Sequence, residues 1–175
     1  FDRLAFRQTR AIERRDWEGG VRLGTQALAL GIFDPQILLL RGLSHHLSGR
    51  YDLAIQDQEA CLTYHPYLVN AINNLGMSLN AAGRYPDAIR TLDRIAELRP
   101  SHIEQHVNLA RAYVGLGRSE EATRQLESAV GKAPERTDIA LELVSHYERL
   151  GDFDRAHLAI SRILQDHPGN YALHY

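Results

Sequence analysis

Apolar residues recur along this chain at the three-and-four spacing of amphipathic helices, in ten stretches separated by short polar or glycine-containing turns. Residues 69–102, VNAINNLGMSLNAAGRYPDAIRTLDRIAELRPSH, show the pattern most fully. Ile72, Leu75, Gly76 and Leu79 share one helix face, and Ala88 and Leu92 share another. Between the two helices lies Gly83-Arg84-Tyr85, and Pro100 closes the segment. The same reading elsewhere predicts helices over 3–14, 18–30, 36–47, 51–64, 68–81, 86–98, 102–115, 119–131, 137–150 and 154–165. Gly49, Gly83, Gly117 and Gly151 stand where a first helix should end in a left-handed residue. Asp34-Pro35 opens a helix, since proline suits the first turn.

The stretches repeat with a period of 34 residues. The turn aromatic recurs as Trp17, Tyr51, Tyr85 and Phe153, with Ser119 the one gap. Three residues later comes Gly20, Ala54, Ala88, Ala122 or Ala156, and closing prolines recur as Pro66, Pro100, Pro134 and Pro168. A fixed period of this length means stacked helical hairpins, each burying its apolar face against its neighbours. The expected organisation is one array of five units, 1–34, 35–68, 69–102, 103–136 and 137–170. Residues 171–175 (Tyr171, Leu173, Tyr175) then start a further helix. That truncated end, and a first residue that is Phe rather than Met, suggest a piece of a longer protein. An open apolar end also predicts self-association there. Gly19, Gly20 and Gly24 each cost about 1 kcal/mol in a helix interior, so the first hairpin should either fray or pack unusually closely there.

The net charge of −2 argues against an array with a basic stripe for nucleic acid. By unit the charges run +1, −1, +1, 0 and −3, which makes the last unit the acidic one. No apolar run approaches the length of a membrane span. Cys61, the single cysteine, occupies a position held elsewhere by Ala27, Ile95, Ala129 and Ile163. It reads as a buried small hydrophobe, and the compartment, cytoplasm or periplasm, stays open. One lysine, Lys132, against nineteen arginines reads as a GC-rich bacterial genome. His102 and His106 lie four apart but lack the glutamate of a zinc-protease helix, and His106 also fills a packing position. His45 and His46 point to different faces. No phosphate loop, nucleophile elbow or carboxylate pair is present, so no catalytic residue, metal or cofactor is expected.

The repeat resembles the tetratricopeptide repeat. In 69–102 the signature positions hold Ile72, Leu75, Gly76, Leu79, Ala88, Leu92 and Pro100. In 103–136 they hold His106, Leu109, Ala110, Tyr113, Ala122, Leu126 and Pro134. The second unit departs from the pattern with His45 and Gln58 at usually apolar positions. The resemblance implies an all-α, right-handed superhelix of five antiparallel helix pairs that binds a protein or an extended peptide. It also implies that the first helix of each pair lines a concave groove. The partner-facing candidates are then Leu39, Leu40 and Leu43 in the second unit, and Asn70, Asn73, Asn74, Met77 and Asn80 in the third. Asn108 and Arg111 follow in the fourth and Glu142 in the fifth.

Asparagines are poor helix formers, and an amide can both donate to and accept from a peptide backbone, so Asn74 and Asn108 predict the start of a ladder. The lysine-rich clamp of chaperone-tail receptors is missing. The implied role is an interaction scaffold, a module of a larger bacterial protein. Two alternatives stand beside it. One is substrate recruitment for an enzyme such as a glycosyltransferase, whose asparagine ladder the Asn74/Asn108 pair resembles. The other is a structural part of cell-envelope export or pilus assembly.

Overall fold

The computed structural model describes residues 2–166, with side-chain surroundings from Arg3 to Gln165. The expected sixth helix at Tyr171, Leu173 and Tyr175, and Pro168, lie outside the described residues. Ten α-helices and no strand are found among the described residues: α1 (Asp2–Glu13), α2 (Trp17–Ala29), α3 (Pro35–Leu47), α4 (Tyr51–Tyr64), α5 (Val69–Ala81), α6 (Tyr85–Leu98), α7 (Ile103–Gly115), α8 (Ser119–Lys132), α9 (Thr137–Leu150) and α10 (Phe153–Asp166). The starts of α3, α5, α7 and α9 fall at one repeat position, and those of α2, α4, α6, α8 and α10 at another. The period of 34 is therefore a period of structure as well as of sequence. We call the first helix of each pair A and the second B.

Local chemistry sets the ends. Asp34 Oδ1 accepts from the Gln36 amide at 2.6 Å and Pro35 is the first helical residue, which starts α3 as expected. Gly49, Gly83, Gly117 and Gly151 all have φ between 71° and 75°, the left-handed region that closes an A helix. The first hairpin has Arg15 there, at φ 59°, a conformation that costs a side-chain-bearing residue about 1–2 kcal/mol. Trp17, Tyr85 and Phe153 prove to be first helical residues of their B helices and not turn residues, as the expected helix over 51–64 already had Tyr51. Two of the residues that precede them add a side-chain cap: Asp16 on the Gly19 amide at 2.8 Å and Asp152 on the Arg155 amide at 3.1 Å.

The chain forms two compact units, Phe1–Pro100 and Ser101–Tyr175. In the first, hairpins α1–α2, α3–α4 and α5–α6 stack in order, with α2 against α3 and α4 against α5. α1 also touches α3, and α3 touches α5, so the A helices line one side of this unit. The core between them includes Ile37, Ala54, Cys61, Ile72, Ala88, Leu92 and Ile95, all without solvent exposure. The recurring small position is thus a seam: a large side chain there has nowhere to go. Cys61 sits in the core as expected, and burial pushes its thiol pKa up, with Asp34 adding to the shift.

The glycines of α2 resolve toward close packing. A Cβ on Gly20 would lie 2.3 Å from Ser44 Oγ, and one on Gly24 2.6 Å from Gln8 Nε2. In the second unit, α8 packs on α9, and Ala110, Leu126, Leu143, Val144 and Tyr147 form the main cluster.

Candidate partner-binding faces

The A face of the first unit is built by α1, α3 and α5. On α3, Leu39, Leu40 and Leu43 are half-buried, and Leu47 is 40% exposed. They sit on the open side, and the hairpin seam beneath them holds polar residues. Arg41 Nε donates to Asp57 Oδ2 at 2.8 Å and its NH2 group to Oδ1 at 2.5 Å, a bidentate pair tying α3 to α4. His45 is buried with Nε2 3.9 Å from Asp57 Oδ2. Burial depresses the His45 pKa, an effect that Asp57 opposes. Gln58 is fully buried, and neither end of its amide finds a hydrogen bond among the described residues. Periodicity could not reveal this seam, because the pairing runs between two helices and not along one.

On α5 the arrangement is turned over. Leu75 and Leu79 face inward with Leu92 of α6. Asn70 is exposed, and Asn73, Asn74, Met77 and Asn80 are half-buried. Asn70, Asn74 and Met77 follow one another at helical spacing, so they share a face. The neighbouring helices are linked by His46 Nδ1 and Ser78 Oγ, hydrogen-bonded at 3.1 Å. His45 and His46 thus face different neighbours, as expected. Burial lowers the His46 pKa too.

In the second unit, Asn108 is 4% exposed, between buried Val107 and Leu109 on α7. Arg111 grips Glu142 in a fork, Nε to Oε1 at 2.9 Å and NH2 to Oε2 at 2.8 Å, and so joins α7 to α9. Arg136 does the same for Asp138, at 2.9 and 2.8 Å, and reaches Glu104 at 3.3 Å. That guanidinium holds the Asp138 carboxyl down to about 2. With Asp152, which pairs with Arg155 at 2.5 Å, three acids of the acidic repeat carry arginine partners among the described residues.

His102 caps α7, its Nδ1 accepting from the Gln105 amide at 3.3 Å. His106 is bonded to Gln125 and Lys132, each at 2.7 Å. Among the described residues no helix is long and apolar enough to cross a membrane.

Three family models, each described as a tetratricopeptide repeat, match residues 35–67, 67–133 and 107–174. No curated protein matches the sequence. Among solved structures the chain is similar to TTC0263, a thermophilic repeat protein of Thermus thermophilus. The TM-score is 0.82 at 17% identity, covering 99% of this chain and 94% of that one. It is also similar to MamA of Desulfovibrio magneticus RS-1, with TM-score 0.79, 20% identity, and 94% and 93% covered. MamA of AMB-1 follows with TM-score 0.68, 22% identity, and 95% and 91% covered. At these identities the likeness is one of fold.

Proposed function

The chain belongs to the tetratricopeptide repeat family, and from that premise we propose that it is a scaffold whose A-helix faces hold an extended segment of a protein partner. In this reading the five repeats, 1–34 to 137–170, make one array within a larger bacterial protein. The observation that carries it is the α3–α5 face of the first unit. There half-buried leucines adjoin a row of amides on a folded, well-packed support. The Asn70 and Asn74 side chains make no hydrogen bond with other described residues, so their donors and acceptors are available to a peptide backbone. Leu40 and Leu43 supply apolar area for the partner's side chains. In the second unit Arg111 and Glu142 offer a preformed ion pair; an acidic or basic group of a partner would have to share it.

Site-specific photo-crosslinking in cells of the source organism tests the assignment. A crosslinker at Met77, on the open face of α5, should capture a defined protein, and one at Glu97, exposed on α6, should not. Equal capture at both positions, or none at Met77, would count against the A face.

A further inference from the structure

We propose a second docking site, on the outer side of the first hairpin, for an acidic peptide segment that alternates carboxylates with apolar residues. It stands apart from the A-face reading. Arg3, Arg7, Arg10 and Arg14 follow one another along α1 at spacings of four, three and four, which puts them on one face. Arg7, Arg10 and Arg14 line an open groove of about 620 Å³ with Arg22 of α2, and Phe6 and Leu23 supply apolar surface in it. Asp16 is the groove's one acidic lining residue, and it is engaged in capping α2. Arg10 pairs with Glu13 at 3.1 Å and lies over the Phe6 ring. Arg7, Arg14 and Arg22 are exposed; Arg7 and Arg14 have no ion pair or hydrogen bond among the described residues, and Arg22 interacts electrostatically with Glu18, whose carboxylate is bonded to Arg50.

The other hairpins make the point sharper. The repeat position of Arg7 holds Leu75, Leu109 and Leu143 in the last three units, at 6%, 3% and 6% exposure. That of Arg10 holds Ser44, Ser78, Ala112 and His146, all buried. Where later hairpins receive a neighbour on small or apolar residues, the first presents guanidinium groups. An apolar helix pair seated there would bury charges without partners.

A carboxylate ligand reverses that cost, because arginine forks match carboxylates in charge and geometry. An extended segment advances about 3.3 Å per residue, so alternate side chains stand roughly 6.6 Å apart. Arg10 uses one NH group on Glu13 and keeps the others of its fork, and it is separated from Arg14 along the helix by about 6 Å. Carboxylates on one side of the segment would meet them while the intervening residues face Phe6 and Leu23. A nucleic acid fits less well: the groove offers a single aromatic ring for stacking, and the chain as a whole is acidic.

The test is fluorescence anisotropy with the 175-residue chain and two labelled peptides, one alternating glutamate with leucine and alanine, the other with glutamine in place of glutamate. The glutamate peptide should bind, and less tightly as salt rises. Arg7→Gln with Arg14→Gln should weaken it at least about tenfold, with an unchanged melt. Arg7→Lys with Arg14→Lys should keep most of the binding, and Arg124→Gln, at the repeat position of Arg22, should keep all of it. Equal binding of the two peptides, an indifferent Arg7→Gln/Arg14→Gln variant, or tighter binding of an oligouridylate than of the glutamate peptide would overturn the proposal.

Discussion

Hairpins α3–α4 and α5–α6 share a backbone plan and put opposite chemistry on its two sides. Four positions of the seam hold Arg41, His45, Asp57 and Gln58 in the first and Leu75, Leu79, Thr91 and Leu92 in the second. On the open side, Leu39, Leu40, Leu43 and Leu47 face Asn73, Asn74, Met77 and Ala81 at the same repeat positions. The fold therefore accepts polar or apolar side chains at these seam positions. The small residues, Ala54 and Ala88, and the left-handed glycines, Gly49 and Gly83, are common to both. With the hairpin secured by those shared features, the A face is free to vary. Its variation, apolar beside amide, is what a partner would read.

Breaking the polar seam should have the largest effect. Asp57→Ala leaves the Arg41 guanidinium, whose side chain is 20% exposed, without its carboxylate, and should cost about 3–5 kcal/mol. The equivalent change in the next hairpin, Thr91→Ala, should cost under about 1 kcal/mol. Urea unfolding of both variants checks the contrast, and similar losses would mean that the two seams are not different in kind.

Converting one seam toward the other should stabilise. Gln58→Leu places at this position the residue found at Leu92 and Leu126, and it removes a buried amide with no described hydrogen bond. The expected gain is about 1–3 kcal/mol, read as a higher melting temperature. A loss of that size would show that the amide is satisfied in solution.

The smallest effect is on pH dependence. Folding lowers the pKa of His45, chiefly by burial, and burial lowers that of His46. The unfolded chain then binds more protons than the folded one as pH falls below about 6.5. The contribution of these groups to stability is complete above that pH and is lost as pH falls through the unfolded value toward the lowered folded one. His45→Leu should flatten the drop in melting temperature between about pH 7 and pH 5, measured by circular dichroism. An unchanged slope would show that His45 is not protonated on unfolding.

Much of the architecture could be read from spacing alone. The period of 34, the small seam residues and the closing glycines located the hairpins to within a residue or two, because each repeats in phase and reports local backbone needs. Three of the turn aromatics were displaced by one step, since Trp17, Tyr85 and Phe153 begin helices that were expected to start one residue later. The candidate face was legible as a set of helix positions, and Asn70, Asn74, Met77, Leu40 and Leu43 are at least partly open to solvent.

What spacing could not supply was pairing between helices. Arg111 looked like a cation for a ligand and is held by Glu142, and Asn108 looked like a second amide rung and is 4% exposed. The arginine groove was hidden for a different reason. A net charge of +1 over residues 1–34 averages five acids with six arginines, and it does not show that Arg7, Arg10, Arg14 and Arg22 line one groove.

The central claim, that the A face of the first unit binds the partner, meets its most direct test in titration calorimetry with the protein captured at Met77. Asn70→Ala with Asn74→Ala should weaken that partner about tenfold or more, from about 0.5–1.5 kcal/mol for each backbone hydrogen bond, and leave the melt unchanged. If the double variant and the wild type bind it with equal affinity, the amides are solvated surface and the A face is not where recognition occurs.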